Sequence, residues 1–233
     1  MKNRYTKLLA FLVLVVLVST LVSAMPKSKT NEPLDKITFI HYKDGRVKEV
    51  GRAIVGGGTC YKLLGVKWSS LPVSYVINPG SYEKTFVTTA ISASAETWDA
   101  ATSKELFNDV YKTDYSASWG IADGENAYVF GDYPDSRVIA VTVIWYTRYG
   151  KQIVDYDVLF NTHYAWGDAT SDQSLMDLQN IATHETGHGV GLNDIYSTSC
   201  SIVTMYGYSI YGETQKRDLE QPDITGLQKM YGI

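Results

Sequence analysis

No clustered run of lysine and arginine occurs anywhere in the chain, and the formal charge is −4. There is therefore no basic patch for nucleic acid or anionic lipid, which argues against a DNA or RNA partner. Internal repeats and low-complexity tracts are missing, and nothing in the composition resembles a disordered or collagen-like chain. Past the N-terminus no stretch is apolar enough to cross a bilayer. Cysteine is reduced to Cys60 and Cys200, and histidine to His41, His163, His184 and His188.

What is present suits one folded domain. Of 233 residues 45% are hydrophobic, ample for a single buried core and tight for two. Lys2, Arg4 and Lys7 precede an apolar run from Leu8 to Val18 that continues more weakly to Val22, and Val22-Ser23-Ala24 offers the small residues read by a signal peptidase. A basic, then apolar, then small-residue order predicts a signal peptide over residues 1–24. The alternative is an uncleaved anchor, but the run falls short of the about 20 residues a span needs. Cleavage there leaves 18 basic against 25 acidic residues, a formal charge of −7, on a secreted protein expected to be monomeric and free of membrane. In an exported chain an even pair of cysteines reads first as a disulfide, so Cys60–Cys200 is expected to close a long loop.

Residues 25–36 are polar and contain proline, and read as a flexible leader. Ile37–Tyr42, Asp44-Gly45 and Arg46–Val55 read as strand, tight turn and strand. Gly56-Gly57-Gly58 is a joint, so residues 25–58 form a leader or short pro-region and 59–233 the main domain. Val73–Ile77, Ala127–Phe130, Val138–Tyr146 and Ile153–Phe160 read as strands. Phe86, Ala90, Ala93, Thr97 and Trp98 predict a long amphipathic helix within 82–101. A second helix is predicted from Asp172 towards His188, with Leu175, Leu178, Ile181 and Ala182 inward, and a last one over 219–231 starting near Pro222. That order is an α+β domain with a mixed sheet.

His184-Glu185-Thr186-Gly187-His188 lies on the second helix. Histidines four residues apart project from one helix face, where a single zinc ion can take both. Glu185, beside the first of them, is placed to accept a proton from water at the metal. Gly191, three residues past His188, permits a turn at positive φ that swings Asp194 back as a third, carboxylate ligand. An alternative third ligand is a glutamate further on, Glu213 or Glu220. Met205 sits in a short apolar turn, Ser201–Tyr206, that is either plain core or a floor beneath the histidines. His41 and His163 read as ordinary core or surface histidines, and Asp155 and Asp157 as solvated charges rather than a calcium site; calcium has no supporting motif.

HETGHGVGLND at 184–194 followed by Met205 resembles the metzincin metallopeptidases, whose signature is HExxHxxGxxH/D with a Met-turn. Met205-Tyr206 and the ending ITGLQKMYG at 224–232 are closest to the matrixin branch. The likeness runs weakly over most of 60–233 and is specific only from His184 to Met205. It departs from that branch in three respects: Asp194 replaces the third histidine, no cysteine-switch motif precedes the domain, and no His/Asp run for a structural zinc is found. The resemblance implies a twisted, mostly parallel five-stranded sheet, an active-site helix, a Met-turn and a C-terminal helix. It also implies one catalytic zinc and a cleft in which an extended polypeptide adds a strand to a sheet edge, with Val138–Tyr146 the candidate edge. Tyr206 and Tyr208 are then candidate walls of the pocket beside zinc. Two other readings stand against the endopeptidase: a catalytically inactive exported peptide-binding relative, and an aromatic-rich surface module. Intact Glu185 speaks against the first, and the scattered Tyr and Trp residues against the second.

Overall fold

A computed structural model describes residues 32–43 and 59–233. The signal segment, most of the leader, the Asp44-Gly45 turn and the strand expected at Arg46–Val55 lie outside the described residues. Nine strands and three helices are described. The strands are β1 (Leu34–Lys43), β2 (Tyr75–Asn78), β3 (Lys112–Thr113), β4 (Asn126–Gly131), β5 (Val138–Thr147), β6 (Ile153–Asn161), β7 (Trp166–Gly167), β8 (Met176–Asp177) and β9 (Tyr208–Ser209). The helices are α1 (Lys84–Asp99), α2 (Leu178–Gly189) and α3 (Gln221–Tyr231).

Seven strands form one sheet in the order β3-β2-β4-β6-β5-β1-β9, and β7 pairs with β8 separately. Within the large sheet only the β1–β5 and β5–β6 pairings are antiparallel, so the mostly parallel α+β architecture is as expected. The sheet is wider than five strands because the leader joins it as β1 and the two-residue β9 pairs in turn with β1. The segment 34–36, expected to be flexible, is part of that strand. β5 is consequently not a free edge: β1 runs along it from Leu34↔Thr147 to Tyr42↔Val138.

The helices cover one face of the sheet. Glu83 caps α1 by accepting the N–H groups of Thr85 and Phe86. The buried stripe of α1 is Val87, Ala90, Ile91, Ser94, Ala95 and Trp98, whereas Phe86, Ala93 and Thr97 are only partly buried. The face is rotated from the one expected because the small residues Ser94 and Ala95 let α1 approach α2, against which the Trp98 indole donates to Thr183 O at 2.8 Å. α2 begins at Leu178, not Asp172, since Asp177 caps it by accepting Asn180 N–H at 2.8 Å. Arg217 grips the same carboxylate through its Nε at 2.8 Å and through Nη2.

The opposite face is covered by the chain around 117–133, with Trp119 and Tyr133 against Val76, Val129, Val141 and Leu159. Asp155 and Asp157 point into this layer and are buried, contrary to the expectation of solvated charges. Asp157 accepts the N–H groups of Gly120 (2.7 Å) and Ala127 (3.1 Å), and Asp155 that of Gly124 (2.7 Å). Irregular backbone crossing a sheet face needs acceptors, and these two side chains supply them.

Candidate metal centre and active site

α2, which bears the His184–His188 motif, is the most enclosed helix: every residue from Ile181 to Gly189 is buried. Its polar residues must therefore find partners. Thr186 meets the Tyr128 hydroxyl at 2.8 Å, which meets the Tyr156 hydroxyl at 2.8 Å, so a chain of hydroxyls anchors the helix to the sheet. At the C-terminal end, Gly189 O accepts the Trp68 indole N–H at 2.8 Å and Val190 O accepts the Tyr231 hydroxyl at 2.9 Å. The chain then turns at Gly191 with φ +104°, where a Cβ would meet Val66 O at 2.5 Å. Glycine is required there, as expected from its spacing.

That turn returns Asp194 to the two histidines. Asp194 Oδ1 lies 3.2 Å from His184 Nε2 and 3.5 Å from His188 Nε2. His184 Nδ1–H donates to Thr204 O at 2.8 Å and His188 Nδ1–H to Leu192 O at 2.9 Å. A carbonyl only accepts, so each ring carries its proton on Nδ1 and turns the Nε2 lone pair inward. These three inward atoms are buried and have no hydrogen-bond partner. Three converging orphans of two imidazoles and one carboxylate match the donor set and number of a zinc site. Burial, with His41 and Lys216 nearby, pushes His184 down to about 3, so it is held neutral as a ligand must be. Burial also works against a charged His188 and a charged Asp194, but their mutual attraction outweighs it, raising His188 and holding Asp194 well below the usual carboxylate range.

The surroundings fix this cluster. The Tyr196 hydroxyl donates to Asp194 Oδ2 at 2.9 Å. Met205 is fully buried beneath α2, and a Cβ at Gly187 would fall 2.3 Å from its sulfur. Met205 is thus both core and floor. Asp223 on α3 accepts Thr204 N–H (2.9 Å) and Met205 N–H (3.2 Å), so it pins the turn whose carbonyl orients His184. Tyr206 is buried and Tyr208 half-buried, with ring centroids 5.8 Å apart. Cys60 and Cys200 are bonded, tying the start of the main domain to the loop between Asp194 and Met205. In the chain-entropy description such a long loop is worth about 5 kcal/mol.

Glu185 is buried next to the histidines with both oxygens engaged. Oε2 accepts the Thr142 hydroxyl at 2.5 Å, and Oε1 accepts His41 Nδ1–H at 2.9 Å. His41, expected to be an ordinary histidine, is therefore part of the site. The Ser209 hydroxyl reaches its Nε2 at 3.1 Å, while Lys216 Nζ donates to Ser209 Oγ at 2.7 Å. Burial and the Lys216 charge hold His41 well below its ordinary value, hence neutral. Glu213 instead accepts Ile210 N–H and Glu220 caps α3, so neither joins the histidines; His163 is exposed on a turn. Thr142, Tyr196, Ser209 and Asp223 went unnoticed in the sequence because nothing in their local spacing ties them to α2.

A mixed sheet with an active-site helix, a glycine turn and a methionine floor defines the metzincin class. The family model described as Matrixin matches residues 67–232, and the chain belongs to the matrixin family. It is similar to Metalloendoproteinase 1 of Glycine max, with 42% identity over 71 residues, 30% of this chain and 22% of that protein. It is also similar to Matrix metalloproteinase-25 of Homo sapiens, with 32% identity over 83 residues, 36% of this chain and 15% of that protein. The matched part is thus a small fraction of either relative's length. Among the described residues no helix is long and apolar enough to cross a membrane.

Proposed function

We propose that this chain is a secreted zinc-dependent endopeptidase, with His184, His188 and Asp194 as metal ligands and Glu185 as general base. The single observation that carries the reading is the convergence of three buried, unpartnered ligand atoms beside a buried carboxylate. When bound, zinc supplies Lewis acidity towards a peptide carbonyl and makes a water nucleophilic near neutral pH. Glu185 takes the proton of the attacking water and returns it to the departing amine. Thr142, donating to one oxygen, and His41, donating to the other, orient the carboxylate. The Thr204 and Leu192 carbonyls, each accepting an Nδ1–H, orient the two rings so that the Nε2 atoms of His184 and His188 face Asp194. An extended polypeptide is the substrate class, held by strand addition along β5. Tyr206 and Tyr208, which follow the Met205 turn, border the groove and shape the side chain accepted there. Export after removal of residues 1–24 fits the Cys60–Cys200 bond.

Hydrolysis of a mixed peptide library, followed by mass spectrometry, tests this with the zinc-loaded chain beside its Glu185→Ala form. Cleavage that a chelator stops and the variant lacks supports it. A folded, zinc-replete chain that binds peptides but cuts none, even with β1 loosened, would identify a non-catalytic peptide-binding protein instead.

A further inference from the structure

A cavity of about 370 Å³ opens where three segments distant in sequence meet: residues 63–69, the turn between β5 and β6, and the last turn of α3. Leu63, Val66, Trp68 and Met230 give it an apolar lining, and Lys67, Lys151 and Lys229 a cationic one. Its size suits a small organic molecule. The proposed zinc ligands, Glu185, Tyr206 and Tyr208 do not line it. Lys67 Nζ donates to Met230 O at 2.8 Å, which uses one of its three N–H groups. Lys151 Nζ lies 5.1 Å from the centroid of the Tyr146 ring, and Lys229 Nζ 5.1 Å from that of Tyr61. Among the described residues no carboxylate forms a salt bridge with any of the three. Glu32, at the same turn, is taken by the N–H groups of Tyr149 and Gly150, and Asp35 by Arg148. In a chain with 25 acidic against 21 basic residues, three such cations around one cavity mark a place for an anion.

Lys151 carries a second, independent signal. Its φ is +53°, and among the described residues it is the one non-glycine residue with positive φ. That conformation favours glycine, and Gly150 stands directly before it, yet the left-handed position is held by lysine. Backbone strain of this kind persists where something besides the turn selects the residue. From the cavity, its unpaired cations and the strained Lys151 we infer a binding site for a small amphipathic organic anion, a carboxylate on an aryl or alkyl body. The body lies against Leu63, Val66, Trp68 and Met230, where the unbranched Met230 thioether adapts to either shape. The carboxylate faces Lys151 and Lys229, whose flexible stems close on it, with Lys67 tethered beside them. Rim charges alone are screened by water and salt, so the apolar body supplies the hold and the lysines select its charged end. Three cations suit a monoanion and not a polyanion, in keeping with the lack of any basic run in the sequence. The site depends on neither zinc nor hydrolysis.

The test uses the full chain and the rigid probe 2-naphthoate, with binding read by calorimetry and by the indole N–H resonance of Trp68. That N–H donates to Gly189 O at 2.8 Å, and its resonance is assigned by its loss in Trp68→Phe. Saturable binding that shifts the Trp68 signal and leaves those of Trp98 and Trp145 in place is expected. Lys151→Gly and Lys229→Gln should each weaken it by about fivefold, and together by about twentyfold. The neutral isostere 2-naphthamide should bind the parent more weakly by a similar factor of about twenty. Lys151→Gly gives the turn the residue its φ favours, so its melting temperature should hold or rise while affinity falls. A purely structural Lys151 would not separate those two readouts. Lys229→Gln, at an exposed position, serves as the second variant if the first perturbs the turn. No saturable binding to the parent, equal affinity for acid and amide, or equal affinity in the folded double variant would each overturn the inference. Sedimentation of the parent with phosphatidylglycerol vesicles, without 2-naphthoate binding, would overturn it in favour of a lipid surface.

Discussion

Among the described residues, two pairs of buried carboxylates do opposite things. On β6, Asp155 and Asp157 lie side by side under the loop that covers the sheet, and most of their oxygens accept backbone N–H groups. On and beyond α2, Glu185 and Asp194 lie among histidines, and one Asp194 oxygen faces the Nε2 atoms of two imidazoles. Desolvation raises both members of the first pair, Asp155 to about 6 with help from the Asp123 charge and Asp157 to about 8 with help from the Asp155 charge. Asp194 is instead lowered by its histidines. Burial of an acid thus marks no function by itself. What separates the sites is whether the ligand atoms are spent on the protein's own backbone or left facing one another.

Breaking each cluster should sharpen that distinction. The largest effect is expected from Asp194→Ala, which should weaken zinc binding by more than about a hundredfold, whereas Asp155→Asn should leave it unchanged. Competition with a chromophoric chelator reads both. Next comes Asp223→Ala, which strands the N–H groups of Thr204 and Met205; at about 1–3 kcal/mol per orphaned buried group, chemical denaturation should show a loss of several kcal/mol. Tyr196→Phe removes the hydroxyl from Asp194 and should weaken zinc by about tenfold, with stability almost unchanged. The smallest effect belongs to the β6 pair. Carboxyls whose folded values are raised stabilise the fold fully below their unfolded value of 3.8, and that stabilisation is lost as pH rises through about 6 and then about 8. The melting temperature of Asp155→Asn should therefore gain on the parent's by a few degrees between pH 5 and pH 8. A constant difference across that range would contradict the account.

The same contrast explains what could be read from the sequence. His184, Glu185, His188, Gly191 and Asp194 lie within eleven residues, and a helix followed by a positive-φ turn is enough to assemble them. The β5 and β6 strands carry long β-branched runs and were equally legible. The buried face of α1 departs from the hydrophobic period because its contact with α2 depends on small residues, Ser94 and Ala95, that no such period reports. Asp155 and Asp157 looked solvated because their partners are backbone amides of a distant irregular loop. His41 was unreadable for the same reason: it lies 144 residues before Glu185, and only the β1–β5 register brings them together. Local spacing brings the proposed ligands together; long-range pairing decides what covers them.

Zinc K-edge X-ray absorption on the full chain loaded with one equivalent of metal tests the central claim most directly. Two imidazole nitrogens and a carboxylate oxygen at about 2.0–2.2 Å are predicted, with one imidazole lost in His188→Ala and the carboxylate lost in Asp194→Ala. A coordination shell that neither substitution alters would contradict it.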